Sequence, residues 1–259
     1  MLPAYNFYIR KEIMNYLDLF SGIGGFALAA KRTWGDDLNM VGFCEIEPYA
    51  RKVLNKNFPG VPIYKDIKEL DGNKFKNIDI LTGGFPCQDI SIAGYGAGIE
   101  GERSGLWSEM LRIISEVRPR FAIIENVSAI TFRGGTRVVR DLAKIGYITE
   151  WQTISAAYVG ALHRRNRMWF VSYPSDSRSE YTKHGESKED TKETEMVREC
   201  KGSVFSNKGE FREKIRTTEF IRRGNGIPNR MDRIKGLGNA IVPQVAEIIM
   251  RRIKSVKGK

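Results

Sequence analysis

The amino-acid sequence predicts an α/β domain with a mostly parallel β-sheet and helices on both faces of the sheet. The first observation is an alternation, up to about residue 173, of short β-type runs with stretches whose apolar residues recur at three- and four-residue spacing. The second is a change of composition over residues 174–226, where Ser, Thr, Lys, Glu and Gly replace most large apolar residues. This stretch is therefore predicted to be a small, loop-rich insertion.

The predicted elements follow one another as repeated strand–helix–strand units. A strand is predicted at residues 16–20, and a glycine-rich turn leads from it into a helix at residues 25–34. A Gly-Leu-Gly-Asn turn precedes the last predicted helix, at residues 240–253. The other predicted strands are at 40–45, 78–82, 121–125 and 168–172, with a short one before Asp66, and the other helices are at 48–57, 106–117 and 136–145.

Composition narrows the possible classes of protein. A hydrophobic content of 41% with 28% charged residues is ordinary for a soluble globular chain, and no apolar run approaches the roughly 20 residues that span a bilayer. The first 15 residues make a poor secretory signal, so we expect a cytoplasmic protein with no membrane partner. Cys44, Cys87 and Cys200 lie far apart, which argues against a disulfide framework and against a metal site. The net charge of +11 favours polyanionic partners.

A glycine-rich turn lies where the first predicted strand meets the first predicted helix, and it reads Asp-Leu-Phe-Ser-Gly-Ile-Gly-Gly-Phe over residues 18–26. Glycines there let the backbone approach a nucleotide-like ligand closely. Glu45 follows about 20 residues later, at a strand end from which a carboxylate can accept hydrogen bonds from ribose hydroxyls. Asp66 and Ile67 could add an acceptor for an adenine amino group and an apolar wall. An adenosine site is therefore predicted, with Gly22, Gly24 and Gly25 in its turn.

A second turn carries a cysteine at the carboxyl edge of the predicted sheet, where open α/β sheets place their ligands. The segment Gly-Gly-Phe-Pro-Cys-Gln at residues 83–88 builds a polar turn rather than a core, which favours a reactive thiol at Cys87 over a buried one. Glu125, followed by Asn126 and Val127, ends the apolar run Phe-Ala-Ile-Ile and brings a carboxylate to the same edge. A carboxylate in that place is costly unless it is paired or used.

Four blocks of sequence together resemble, in order and spacing, the motifs of cytosine-C5 DNA methyltransferases of bacterial and phage type. They are the glycine block at 18–26, Phe-Pro-Cys-Gln at 85–88, Glu-Asn-Val at 125–127 and Gly-Asn-Ala-Ile-Val-Pro-Gln at 238–244. The resemblance covers nearly everything except residues 174–226. It implies the Rossmann-like fold of adenosylmethionine-dependent methyltransferases, S-adenosylmethionine as the cofactor and double-stranded DNA as the partner.

The resemblance also implies covalent chemistry on a cytosine that is flipped out of the duplex. Carbon 5 of cytosine is too weak a nucleophile to take a methyl group, so the Cys87 thiolate is expected to add to carbon 6 first. A protonated Glu125 at the ring N3 edge would neutralise the charge that develops and would also select cytosine. Cys87 and Glu125 are therefore the expected catalytic residues.

A basic block, His-Arg-Arg-Asn-Arg at residues 163–167, resembles the Gln-x-Arg-x-Arg block of the same family. The resemblance places Arg165 at the position that contacts the target base, as a third catalytic residue, and Arg167 at one that supports the site. His163 stands where Gln is usual, and a neutral imidazole can donate and accept hydrogen bonds much as an amide does.

The remaining site residues follow from the resemblance. The substrate side is expected to include Pro86, Gln88, Asn126, Val127 and Arg167. The cofactor side is expected to include Phe20, Gly22, Gly24, Gly25, Glu45, Ile46, Asp66, Ile67, Asn239 and Ala240, with Ile46 as an apolar wall where many members of the family carry an aromatic or other apolar residue. No metal is expected.

Three segments are expected along the chain: a catalytic domain at 1–173, a short target-recognition insertion at 174–226, and a segment at 227–259 that returns to the catalytic domain. The insertion is nearly neutral, with 12 Lys and Arg against 11 Asp and Glu, whereas the last segment carries 8 against 2. Phosphate contacts supply affinity and base contacts supply sequence choice, so these segments are expected to divide the two tasks. A monomer is expected.

Three other functions are weaker matches to the same residues. RNA methylation is the nearest, because one branch of the family modifies tRNA, but the Cys-Phe-Thr signature usual in that branch is absent from the chain. A nicotinamide-dependent oxidoreductase would share the glycine turn and Glu45, but it gives no role to Cys87 with Glu125. A non-catalytic DNA-binding homologue would lack one of those two residues, and both are present.

Overall fold

The computed structural model of the protein describes residues 12–86, 105–130, 134–177 and 236–257. Cys87, Gln88 and nearly all of the predicted insertion lie outside the described residues. Strands and helices are numbered below in chain order within the described part.

Seven strands form one sheet in the order β3-β2-β1-β4-β5-β7-β6. Six strands point the same way, and β7 is antiparallel to both of its neighbours, β5 and β6. The predicted mostly parallel sheet is therefore confirmed. The strands are β1 Met14–Leu19, β2 Leu38–Cys44, β3 Ile63–Tyr64, β4 Ile80–Gly83, β5 Phe121–Val127, β6 Tyr147–Ser155 and β7 Asn166–Pro174.

Helices cover both faces of this sheet, as predicted. Helices α3 and α4 pack on one face through side chains such as Trp107 and Val138, and helices α1 and α5 pack on the other through side chains such as Phe26 and Met250. No helix of the described residues is long and apolar enough to cross a membrane. The helices are α1 Gly25–Trp34, α2 Pro48–Asn57, α3 Gly105–Val117, α4 Gly135–Lys144 and α5 Pro243–Lys257.

The start of the last helix differs from the prediction. The sequence pattern predicted a helix from residue 240, but α5 begins at Pro243, and residues 236–239 form a separate helical turn. Proline lacks a backbone N–H and has a fixed φ, which favours the first position of a helix over its interior. The segment between the two helical pieces is therefore free to follow a different path, and it passes over the glycine turn.

Strand β6 was not predicted, and β7 was predicted without its antiparallel direction. Within the described residues β6 pairs only with β7 at the edge of the sheet, and its polar Thr, Glu and Gln residues mask the apolar pattern. Only ten residues join Ser155 to Asn166. A parallel crossover needs about a dozen residues or more, so this short connection gives an antiparallel hairpin.

The carboxyl ends of β1, β2, β4 and β5 meet at one edge of the sheet. Because β7 runs in the opposite direction, its first residues lie at this same edge, where Arg167 is paired with Val127 of β5. The glycine turn, Glu45, the turn that leads to Pro86, and the arginine block are thereby brought to one side of the molecule.

Candidate active site and cofactor pocket

The glycine turn is tightly folded between β1 and α1. Phe20, Gly22 and Gly24 have φ angles of +52°, +53° and +89°, in the left-handed region that favours glycine. A Cβ on Gly24 would lie 2.7 Å from a ring carbon of Phe58, so this position has no room for a side chain. The turn is therefore packed closely against the end of α2, and its conformation requires glycine at this position.

Glu45 is held against this turn directly after β2. Its Oε2 accepts a hydrogen bond from the backbone N–H of Gly22 at 2.7 Å, and its Oε1 accepts one from the N–H of Glu47 at 2.7 Å. The side chain is 8% exposed. A carboxylate oxygen can accept more than one hydrogen bond, so this fixed carboxylate can still accept from ribose hydroxyls.

The residue after Glu45 is an exposed apolar side chain. Ile46 is 64% exposed, and the Arg51 guanidinium donates to the backbone carbonyls of Glu45 and Ile46. The contact with adenine expected of Ile46 remains a prediction.

Asp66 and Ile67 are placed differently from each other. The Asp66 side chain is half-buried, and its Oδ1 accepts from the backbone N–H of Lys68 at 2.9 Å. The Ile67 side chain is buried in the core cluster on the α3 side of the sheet, while its carbonyl accepts from Arg112 at 2.9 Å. The adenine contacts expected of these two residues remain predictions.

The segment at residues 236–241 lies on the glycine turn. A Cβ on Gly25 would lie 2.7 Å from Cγ1 of Ile241, and a Cβ on Gly236 would lie 3.2 Å from Cγ2 of Ile23. Asn239 is exposed and Ala240 is half-buried in this segment. The structure thus brings the late block together with the glycine turn, although the two are more than 200 residues apart in the chain.

Glu125 is a buried carboxyl on β5, beside the turn that leads to Cys87. It is 8% exposed, and Nε of Arg167 lies 2.9 Å from its Oε1. Burial raises the pKa of Glu125 to about 7, because loss of hydration outweighs the opposing charges of Arg167 and Arg165. A carboxyl in this condition carries a proton for much of the time near neutral pH, as a general acid requires.

The turn that leads to Cys87 passes directly beside this carboxyl. A Cβ on Gly84 would lie 3.2 Å from Oε2 of Glu125, so glycine allows the close approach. Nδ2 of Asn126 donates to the carbonyl of Phe85 at 3.3 Å, and its Oδ1 accepts from the N–H of Val127 at 2.8 Å. Pro86, the last described residue of the turn, is exposed.

The two arginines of the basic block have different partners. Arg167 pairs with Glu125, which fits the supporting position expected of it. Nη2 of Arg165 instead donates to the backbone carbonyls of Gly238 at 2.8 Å and Ala240 at 2.6 Å. The base contact expected of Arg165 remains a prediction, and in this structure its guanidinium faces the late block.

Sequence reasoning missed a buried polar cluster beneath both turns. Oδ1 of Asp18 accepts from the Thr82 hydroxyl at 2.6 Å, and the Tyr16 hydroxyl lies 2.7 Å from the same Thr82 oxygen. Asp18 is fully buried, its Oδ2 has no hydrogen-bond partner, and burial raises its pKa to about 7. The available signal was a carboxylate two residues after a tyrosine on one face of an otherwise apolar strand.

The sheet order, the glycine turn after β1 and the carboxylate after β2 define the Rossmann-like fold of S-adenosylmethionine-dependent methyltransferases. The family model of the C-5 cytosine-specific DNA methylases matches residues 14–226. The chain belongs to this family, and the resemblance seen in the sequence is thereby confirmed.

Individual relatives agree with this assignment. The chain is 37% identical over 163 residues to the type II methyltransferase M2.BsuMI of Bacillus subtilis, and 34% identical over 156 residues to M.CviJI of Paramecium bursaria Chlorella virus IL3A. Each alignment covers 60% of this chain and 41% of the relative, so the chain spans less than half the length of these relatives.

A solved structure of similar size shares the fold. It is a candidate DNA modification methyltransferase encoded within a prophage of E. coli, with a TM-score of 0.62 and 19% sequence identity. The match covers 95% of this chain and 100% of that one.

Within the described residues, no group of three or more His, Cys, Asp or Glu side chains could hold a metal ion.

Proposed function

We propose that the protein transfers a methyl group from S-adenosylmethionine to carbon 5 of cytosine in double-stranded DNA. The observation that carries this proposal is the buried Glu125 carboxyl, which lies beside the turn that leads through Pro86 into Cys87. A carboxyl with a raised pKa next to the segment bearing a nucleophile is suited to protonate a ring while the nucleophile adds to it. Membership of the C-5 cytosine-specific family supports the choice of base and atom.

In this mechanism Cys87 forms a bond from its sulfur to carbon 6 of cytosine, and the displaced electron pair makes carbon 5 nucleophilic. Glu125 donates its proton to the ring N3, and Arg167 holds the Glu125 carboxyl in place. When bound, S-adenosylmethionine supplies an electrophilic methyl group for carbon 5. Loss of the carbon 5 proton to a base, return of the N3 proton to Glu125 and breakage of the carbon–sulfur bond then restore the aromatic ring and the free thiolate.

The cofactor would be held by residues that lie at the same edge of the sheet. Glu45 would accept from the ribose hydroxyls, Ile46 would offer an apolar face to adenine, and residues 236–241, which lie over the glycine turn, would cover the cofactor. These positions are on the carboxyl edge of the sheet next to Glu125, so a donor methyl and a flipped base can meet there.

We also propose that residues 174–226 select the DNA sequence, as a short target-recognition insertion in the catalytic domain, and that the basic segment at 227–259 contributes affinity for phosphates. The support is the contrast in charge between the nearly neutral insertion and the cationic last segment. The protein is proposed to act as a monomer without a metal ion.

The test of this function uses the purified protein, S-adenosylmethionine and duplex DNA. Bisulfite sequencing is expected to show protected cytosines in one sequence context, and DNA containing 5-fluorocytosine is expected to form a complex with the protein that survives denaturant. Fluorine at carbon 5 cannot leave as a proton does, so the covalent complex persists. The Cys87→Ser variant is the matched control and should form none.

Two results would contradict the proposal. Transfer of labelled methyl groups to tRNA but not to duplex DNA would assign the protein to the RNA branch instead. Methylation of DNA by the active wild-type protein without any trapped complex would rule out the covalent route through Cys87.

Removal of the carboxylate in Glu45→Ala is expected to weaken S-adenosylmethionine binding by about 1.5–3 kcal/mol, the usual range for hydrogen bonds to a charged group. The variant also loses the acceptor for the Gly22 N–H, so the glycine turn is less well held. Isothermal titration calorimetry measures the effect. Glu47→Ala is the matched control, because it removes a neighbouring carboxylate and keeps the backbone N–H that donates to Glu45; equal weakening in both variants would place the ribose contact elsewhere.

A further inference from the structure

Arg165 occupies a strained, half-buried position between the segment at 236–241 and Glu125. Its φ of +32° lies in the left-handed region, which non-glycine residues rarely adopt. Its Nε is buried and has no hydrogen-bond partner, although Nη2 donates to two backbone carbonyls. A strained backbone and an unpaired buried donor both oppose this arrangement, so the two carbonyl contacts are what hold it in place.

Those two carbonyls belong to the segment that lies over the cofactor turn. Gly238 and Ala240 are 73 and 75 residues away from Arg165 in the chain. Within the segment, the N–H of Ala240 donates to the carbonyl of Gly236 at 3.0 Å. This bond joins Ala240, which Arg165 binds, to the helical turn at residues 236–239. Ile241 then contacts Gly25. A shift of the Arg165 guanidinium would therefore move the segment relative to the glycine turn.

Strand β7 begins directly after Arg165 and reaches the Glu125 side of the site, where the target base is proposed to bind. Arg167 is two residues after Arg165, is paired with Val127 in the sheet and bonds to Glu125. The charge of Arg165 also acts on Glu125, where it opposes the rise in the pKa of that carboxyl. A continuous path thus runs from the glycine turn through residues 236–241 to Arg165, and then along the adjoining backbone to Arg167, which bonds to the Glu125 carboxyl.

We propose that Arg165 is a positioning residue that fastens the segment at 236–241 over the cofactor pocket and so couples that pocket to the Glu125 site. The base contact predicted from sequence would have to be made by Nη1 or Nε, because Nη2 is engaged by the two carbonyls. This inference rests on the proposed function for the identity of the ligands. The coupling is reciprocal, since contacts that a ligand stabilises on one side favour binding on the other.

The first test measures binding of S-adenosylhomocysteine by calorimetry with no DNA present. Arg165→Ala is expected to weaken this binding about tenfold or more, because two charge-assisted hydrogen bonds that hold the pocket are lost. Arg165→Lys should be intermediate, since an ammonium can still donate to two carbonyls from a shorter side chain. Arg164→Ala, at an exposed neighbouring position, is the control and should bind as the wild type does.

A direct contact with the base predicts the opposite pattern. In that case Arg165→Ala would bind S-adenosylhomocysteine normally without DNA, and only the affinity for target DNA would fall. Unchanged binding without DNA would therefore overturn the proposal.

The second test needs no ligand and separates this inference from the proposed function. Hydrogen exchange of the full chain is expected to be faster in Arg165→Ala at the amide of Ala240, with unchanged exchange in β1 and β4. Faster exchange everywhere would indicate general loss of folding, and unchanged exchange at Ala240 would indicate no fastening; either result would overturn the inference. If the wild type bound no S-adenosylhomocysteine, the proposed function would fail while this measurement still decided the role of Arg165.

Discussion

Glu125→Gln is expected to lower the rate of cytosine methylation by about 10²–10⁴-fold, the usual contribution of a general acid. Glutamine has nearly the same shape and can still donate a hydrogen bond, but it has no proton to transfer to the ring. The fold should tolerate the change, because burial already raises the pKa of Glu125 to about 7 and the neutral form is well populated. Single-turnover methylation at saturating cofactor measures the rate.

The dependence of this rate on pH provides a sharper test of the same residue. Only the protonated carboxyl can donate, so the wild-type rate is expected to lose this contribution as pH rises through about 7. The Gln variant has no proton to lose at this position, so its residual rate should lack that decline. A decline of the same size in both proteins would assign it to another group.

The second large effect concerns stability, through Asp18. The pKa of this buried carboxyl is about 7 in the folded protein against an ordinary value of 3.8, so the folded state binds more protons between these values. The contribution of Asp18 to the free energy of unfolding is therefore fully present below about pH 4, and it is lost as the pH rises to about 7. The expected loss is on the order of 4 kcal/mol, since each pH unit between the two pKa values contributes about 1.4 kcal/mol.

Asp18→Asn should remove this pH dependence, because the amide stays neutral throughout. Its Oδ1 can still accept from Thr82, while the amide nitrogen at the other position adds a cost that does not vary with pH. Urea unfolding of both proteins at pH 4 and pH 8 measures the difference. The wild type should lose about 4 kcal/mol relative to the variant over this range, and parallel stability curves would show that Asp18 does not titrate in the folded protein.

The fold was predictable where burial makes the sequence pattern strong. Strands β4 and β5 are buried on both faces and appear in the sequence as continuous apolar runs, which is typical of parallel sheets. Helices α1 and α2 were predicted with the bounds that the structure shows. Strand β6 was missed because an edge strand needs few apolar residues, and local pattern carries no information about the direction of β7.

The same distinction applies to the site. Glu45 and Glu125 could be placed because a carboxylate at the end of an apolar strand marks the carboxyl edge of a sheet. The partners of the two arginines could not be predicted from the sequence. Arg165 binds carbonyls more than 70 residues away, and Arg167 reaches Glu125 only through the antiparallel pairing of β7 with β5. Asp18 was overlooked because its significance depends on the Thr82 hydroxyl of another strand.

The position of Asp18 links the glycine turn to the turn that leads to Cys87. Asp18 and Thr82 are paired across β1 and β4, one residue before each strand ends and its turn begins. The glycine turn and the turn that leads to Cys87 thus share one interior hydrogen bond, at a carboxyl that water does not reach. A proton gained or lost at Asp18 therefore acts on both turns at once, so the proposed cofactor affinity and the proposed reactivity toward cytosine are expected to change together with pH.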